Sequence, residues 1–107
     1  MKNLDLKSLR LWVSVCEFQS IKKAAVQAHM EPSAVSKRVA HLEATLGAEL
    51  LVRGRYGVTP TAAGLALLEH ARIMLYNADQ MEADVAAYAG GLKGRVRVAA
   101  SASAVAE

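Results

Sequence analysis

A mainly α-helical fold, with three short helices, a two-stranded hairpin and one long helix, is predicted by this sequence of 107 residues. Three observations carry the prediction. The chain is rich in alanine and holds only 7 glycines and 2 prolines, a composition that favours closely packed helices. Apolar side chains recur at steps of three and four through most of its length, the spacing of a helical face. One stretch, "LLVRGRYGVTP" at residues 50–60, breaks that period and places two glycines where a hairpin would turn. A chain of this length supports one modest core and leaves no room for a second complete domain.

The first helix is expected from residue 4 to about 18, with Leu6, Leu9, Val13 and Cys16 along one stripe and Trp12 beside it. Ser20 suits the N-cap of a second, short helix over residues 21–28, although Lys23 stands where a capping box would need an acid. Ala24, Ala25 and Ala28 are small enough to let another helix approach closely. Pro32 is preorganised for a first helical turn and pushes the residue before it into an extended conformation. A third helix therefore runs from Pro32 or Ser33 to Leu46, buries Val35, Val39, Leu42 and Leu46, and stops at Gly47.

Two short helices joined by a tight turn, the second with a buried stripe, form the helix-turn-helix pattern, whose second helix enters a DNA major groove. The outward face of the third helix fits that use. It carries Pro32, Ser33, Ser36, Lys37, Arg38 and His41: small hydroxyls that approach bases and phosphates closely, and cations for base edges or backbone. An ordinary solvated face with Ser33 as a cap is the alternative reading of this stretch. Strands at residues 50–53 and 58–60, joined across 54–57, make a small wing that brings Arg53 and Arg55 near the phosphate backbone or minor groove. Tyr56 either touches a sugar or phosphate or packs on the hairpin. The prediction is thus a winged helix-turn-helix over residues 1–60.

Thr61 is a natural N-cap for a long helix reaching Ala89, roughly 40 Å at about 1.5 Å per residue. Leu67, Met74, Met81 and Tyr88 repeat every seven residues, and Gly64, Ala71, Ala78 and Val85 occupy the companion position. This pattern predicts a linker helix over residues 61–89 that dimerises through Leu67, Ala71, Met74, Ala78, Met81, Val85 and Tyr88. Folding of the same helix onto its own domain through Leu65, Leu68, Ala71 and Leu75 remains open. Residues 90–107 read as a hinge and, in the alternation at 95–99, the first strand of a truncated further domain.

Composition narrows the function classes. Residues 1–60 hold nine Lys or Arg against five acids, whereas residues 61–107 hold four against five. Basic character is concentrated where the helix-turn-helix lies, which points to a polyanionic partner. Cys16 stands alone, so no internal disulfide forms, and His29, His41 and His70 lack metal-ligand spacing. No phosphate-binding glycine loop, Ser-His-Asp set or paired-carboxylate site is present, and the chain is expected to be no enzyme, to hold no metal and to need no cofactor. With no membrane-length apolar run and no signal-peptide pattern at the start, a cytoplasmic protein is expected.

The order of these parts resembles the N-terminal region of LysR-type transcriptional regulators. The likeness rests on "LKSLRLWVSVCEFQS", "KKAAVQAHM", "PSAVSKRVAHLEATLGAELLVR", "GVTPTAAG" and "GLKGRVRVAAS", and spans residues 4 to about 100. It implies a DNA-binding domain that acts as a homodimer through antiparallel linker helices, usually within a tetrameric full-length parent on a double-stranded operator with an interrupted palindrome. A small-molecule inducer is implied only for the further, effector-binding domain. By the same resemblance, Ser33, Ser36 and Lys37 match recognition-helix positions that meet bases or phosphates, Arg53 matches the wing arginine, and Ser20, with Lys22 beside it, opens the second helix toward DNA. Three departures stand out: Glu31-Pro32 replaces the usual hydroxyl-then-glutamine, Lys37 replaces a frequent arginine, and Leu51 replaces a common phenylalanine. The first two bear on which bases are preferred. A protein-interaction module with an acidic partner, or another winged-helix regulator type, are the competing readings; the wing speaks against the first, and the linker helix and exit segment against the second.

Overall fold

The computed structural model describes residues 4–90. It holds α1 (Leu6–Phe18), α2 (Ile21–Ala28), α3 (Pro32–Leu46), β1 (Leu51–Gly54), β2 (Gly57–Pro60) and α4 (Ala62–Ala89), in that order. The strand expected at 95–99 lies outside the described residues.

Each boundary has a local cause. Asp5 caps α1, its Oδ1 accepting the Ser8 N–H at 2.8 Å, and Ser20 caps α2, its Oγ accepting the Lys23 N–H at 3.0 Å. Pro32 occupies the first turn of α3 with extended Glu31 as an N-cap that makes no side-chain bond, so Ser33 is not the cap. Gly47 closes α3 in the left-handed conformation at φ 70°, as expected of a C-terminal glycine. Thr61 holds the start of α4 twice over: its Oγ1 accepts the Gly64 N–H at 3.0 Å and donates to the Glu49 carbonyl at 2.6 Å. The hairpin is tighter than expected. β1 and β2 pair antiparallel with Gly54 opposite Gly57, leaving only Arg55 and Tyr56 in the turn.

Of the described residues, 4–75 form one compact unit. Its core joins Leu11, Trp12, Val15 and Cys16 of α1, Ala24 and Ala25 of α2, Val35, Val39 and Leu42 of α3, Leu50, Val58 of β2 and Leu68 of α4. Two expected stripes shift. In α1, Leu6 is 40% exposed and Val13 only half-buried, while Trp12 is fully covered. Because α1 packs against α2, α3 and β2 at once, its buried arc is broad and centres on the tryptophan instead of running along one narrow seam. In α3, Leu46 is 41% exposed, since the helix ends there at Gly47 and the stripe closes one turn earlier, at Leu42. Ala24 and Ala25 are buried as close-approach residues, but Ala28 is exposed at the end of α2.

Within this unit, α4 contributes Gly64, Leu68 and Ala71 as its buried residues. A side chain at Gly64 would run into the Leu50 carbonyl oxygen and the Trp12 ring, and Trp12 Nε1 donates to the Gly64 carbonyl at 3.2 Å. Arg72 and Glu17 add an exposed ion pair at 2.9 Å between α4 and α1. Of the described residues, 76–90 belong to a second unit, which holds the rest of α4, to Ala89.

Candidate nucleic-acid interface

The sequence of α3 divides its surface cleanly. Val35, Val39 and Leu42 face the core, which turns Pro32, Ser33, Lys37 and His41 outward as exposed residues and leaves Ser36 and Arg38 half-buried at the edges of that face. Pro32 has no N–H and the Ala34 N–H is bonded to the Glu31 carbonyl at 2.9 Å, so in the first turn of α3 the Ser33 N–H and hydroxyl are the groups placed to meet a phosphate at the helix N-terminus. An open cleft of about 570 Å³ flanks the outward face, lined by Leu4, Asp5, Ser8, Met30, Ala34, Lys37, Arg38 and His41.

Arg38 is placed differently from its neighbour. Its Nη1 donates to Ser8 Oγ at 3.2 Å, so part of its guanidinium is committed to α1. The Ser8 hydroxyl and backbone N–H hold the Asp5 carboxyl below its ordinary value of 3.8, and the Arg38 charge adds to the effect. On α2, Lys22 is exposed, and the Ser20 hydroxyl that caps the helix keeps its own hydrogen available for an incoming acceptor.

The wing presents Arg53, Arg55 and Tyr56 as exposed residues. Tyr56 is 93% exposed at the turn and does not pack on the hairpin; the Arg55 guanidinium carbon lies 5.9 Å from its ring centroid. Two contacts aim the wing. Glu43 of α3 accepts the N–H groups of Leu50 and Leu51 at 2.8 and 3.4 Å on one carboxylate oxygen. The Gln19 carbonyl, at the left-handed end of α1, accepts the Val58 N–H at 3.2 Å. Glu43 thereby couples α3 to the start of the wing.

The profile of bacterial regulatory helix-turn-helix proteins of the lysR family matches residues 6–65. The chain belongs to that family. Among LysR-family and related regulators, the nitrogen assimilation regulatory protein nac of Klebsiella aerogenes is 35% identical over 95 residues, 89% of this chain and 31% of its own length. The HTH-type transcriptional regulator CbbR of Sinorhizobium medicae (strain WSM419) is 36% identical over 98 residues, 92% of this chain and 31% of its own. This LysR-family chain thus spans about a third of the length of the curated relatives it matches. Among solved structures, the BenM DNA-binding domain in complex with catB site 1 DNA superposes with a TM-score of 0.79 at 35% identity, covering 82% of this chain and 99% of that one. The CbnR DNA-binding domain in its DNA complex gives 0.76 at 32% identity, covering 80% and 99%. The fold is that of a LysR-type winged helix-turn-helix DNA-binding domain.

Set on this LysR-family fold, the sequence-predicted residues fall into groups. Pro32, Ser33, Ser36, Lys37 and His41 lie together on α3, and Arg53, Arg55 and Tyr56 together on the wing. Of the expected pairing residues, Ala71 is fully buried within its own chain and Leu67 packs partly against the core, so Ala71 offers no surface to a second copy. Gly64, its companion in the heptad, is covered by Trp12. Met74, Met81, Val85 and Tyr88 are exposed, and Ala78 is half-buried. Sequence reading missed Ser8 and Gln19, whose partners Arg38 and Val58 lie too far along the chain for a local pattern to flag them, and Glu43, whose partners are backbone N–H groups that no side-chain pattern reveals. Cys16 is buried as expected, and burial pushes its thiol up to about 11, with Arg72 opposing and Glu17 adding.

Proposed function

We propose that this chain reads double-stranded DNA in a sequence-dependent way, as the homodimeric DNA-binding part of a bacterial transcriptional regulator. The observation that carries the reading is the two-sided α3: its Val35, Val39 and Leu42 face is sealed into the core, and the opposite face presents hydroxyls and cations. In this reading α3 lies in the major groove, with Ser33, Ser36, Lys37 and His41 toward base edges and phosphates and Pro32 in apolar contact, as with a thymine methyl. Ser20 and Lys22 meet the backbone at the start of α2. Arg53, Arg55 and Tyr56 follow the backbone or enter the minor groove. The likeness to domains crystallised on DNA supports the mode of docking.

Pairing of two copies belongs to the distal part of α4, through Met74, Ala78, Met81, Val85 and Tyr88, with Leu67 at its margin. Tetramer formation, control by a small-molecule inducer on a further domain, and a cytoplasmic location complete the proposal for the whole regulator. The DNA-reading part itself is non-catalytic and takes no cofactor or metal. Among the described residues no helix is long and apolar enough to cross a membrane.

The test is selection of bound duplexes from a random pool with the purified chain, repeated with Lys37→Ala. An enriched motif of two half-sites, blurred at defined positions by the substitution, is the expected result. Enrichment of the same motif with the same sharpness by Lys37→Ala would remove Lys37 from base reading, and recovery of no duplex at any salt concentration would refute DNA binding.

A further inference from the structure

We infer that Arg38 serves DNA binding as a positioning residue that ties α3 to the first turn of α1, and not as a contact to DNA. The inference rests on the DNA-reading role proposed above. Three linked observations carry it. The Arg38 guanidinium donates through Nη1 to Ser8 Oγ, joining residues 30 positions apart in the chain. Ser8 is only 4% exposed, so this acceptor sits inside the joint between the helices and not on the outer face. The Ser8 N–H in turn donates to Asp5, the N-cap of α1, whose carboxylate feels the Arg38 charge. Cap, buried hydroxyl and guanidinium form one connected chain from the start of α1 to the middle of α3.

Position on the helix separates Arg38 from Lys37. Successive residues turn by roughly 100°, and here that turn carries Lys37 onto the exposed face and Arg38 into the half-buried edge against α1. A side chain held there fixes how α3 is rotated and tilted beneath α1, and therefore where Ser33, Ser36 and Lys37 point. Loss of the tether costs affinity by letting the reading face wander before it docks, since pre-organisation is what a bound geometry otherwise has to supply.

A phosphate contact and a positioning contact leave different marks. Removing one phosphate contact lowers the slope of log affinity against log salt by about 0.9, whereas removing an internal tether leaves the slope alone. Ser8→Ala adds a second discriminator, because it breaks the tether without changing any charge. The experiment titrates the enriched duplex and a scrambled duplex by fluorescence anisotropy across a salt series with wild type, Ser8→Ala, Arg38→Ala and the double variant. Circular dichroism melting confirms that each is folded, and Arg38→Met, which keeps the apolar stem, stands in if Arg38→Ala does not fold.

The expected result is that Ser8→Ala and Arg38→Ala each weaken binding to the enriched duplex by about threefold to tenfold, the scale of one ordinary intramolecular hydrogen bond. The double variant is no weaker than Arg38→Ala, and all slopes match wild type. A slope reduced by about one in Arg38→Ala, beside wild-type behaviour of Ser8→Ala, would make Arg38 a phosphate contact and overturn the inference. Wild-type affinity in both single variants would overturn it as well. Absence of any salt-sensitive binding by the wild type would overturn the DNA reading itself.

Discussion

The two halves of α4 use similar residues to different ends. Up to Leu75, Gly64, Leu68 and Ala71 are buried within the chain's own first unit, Gly64 directly against the wholly covered Trp12. From Tyr76 onward, Tyr76, Met81, Val85 and Tyr88 are all more than half exposed. One seven-residue period runs through both halves. What differs is glycine: with no side chain at 64, the Trp12 ring and the Leu50 carbonyl come within contact of the helix backbone. A heptad pattern therefore marks an apolar face without saying whether the chain covers that face itself or presents it to a second copy.

The contrast predicts its largest effect at Trp12. Trp12→Ala empties the centre of the first unit and removes the bond to Gly64, and should lower the unfolding free energy by about 3–5 kcal/mol, read as a fall in the urea midpoint. That is a large part of the stability of a small domain. A loss below about 1 kcal/mol would mean that the start of α4 does not depend on this contact. Next in size is Gly57→Ala. Gly57 has φ 142° and a Cβ there would strike the Gln19 carbonyl oxygen, so the change should cost about 1–3 kcal/mol and loosen the wing from α1. An unchanged urea midpoint would show that the wing moves without affecting the core.

How far the sequence announced these features depends on the range of the interaction behind them. The caps at Ser20, Gly47 and Thr61 were legible because each helix end is set by bonds to residues three or four positions away. The hydroxyl and cation face of α3 was legible too, since the opposite apolar stripe fixes which side is turned outward. By residue type Arg38 fits that face, yet its bond runs to Ser8 in another helix. Glu43 carried no local signal: its partners are the backbone N–H groups of Leu50 and Leu51, which no side-chain pattern reveals. Gly64 and Ala71 fitted the heptad as well as they fit the core, and period alone does not separate the two.

Smaller effects are expected beyond Leu75. Met81→Glu combined with Val85→Glu should leave the unfolding free energy of the dilute chain within about 0.5 kcal/mol. The same double substitution should shift a concentration series in analytical ultracentrifugation toward monomer. A dilute chain destabilised as strongly as by Trp12→Ala would show that these residues serve the chain's own fold instead.

The smallest effect lies at Asp5. Its carboxyl titrates below the ordinary 3.8, chiefly through the Ser8 hydroxyl, then the Ser8 backbone N–H, with Arg38 assisting. A depressed folded-state value means that the contribution is complete above the ordinary carboxylate range and is lost as pH falls through the lowered value. Asp5→Asn should therefore reduce stability slightly at neutral pH and flatten the acid side of the pH–stability curve. An acid limb identical to wild type would show that Asp5 makes no such contribution.

DNA reading by paired copies is tested best by sedimentation of the chain with the duplex enriched from a random pool, at increasing ratios of protein to DNA. Saturation at two chains per duplex is predicted, with the Met81→Glu, Val85→Glu chain binding more weakly and losing that fixed stoichiometry. Saturation at one chain per two-half-site duplex, or no complex under salt conditions that favour phosphate contacts, would contradict it.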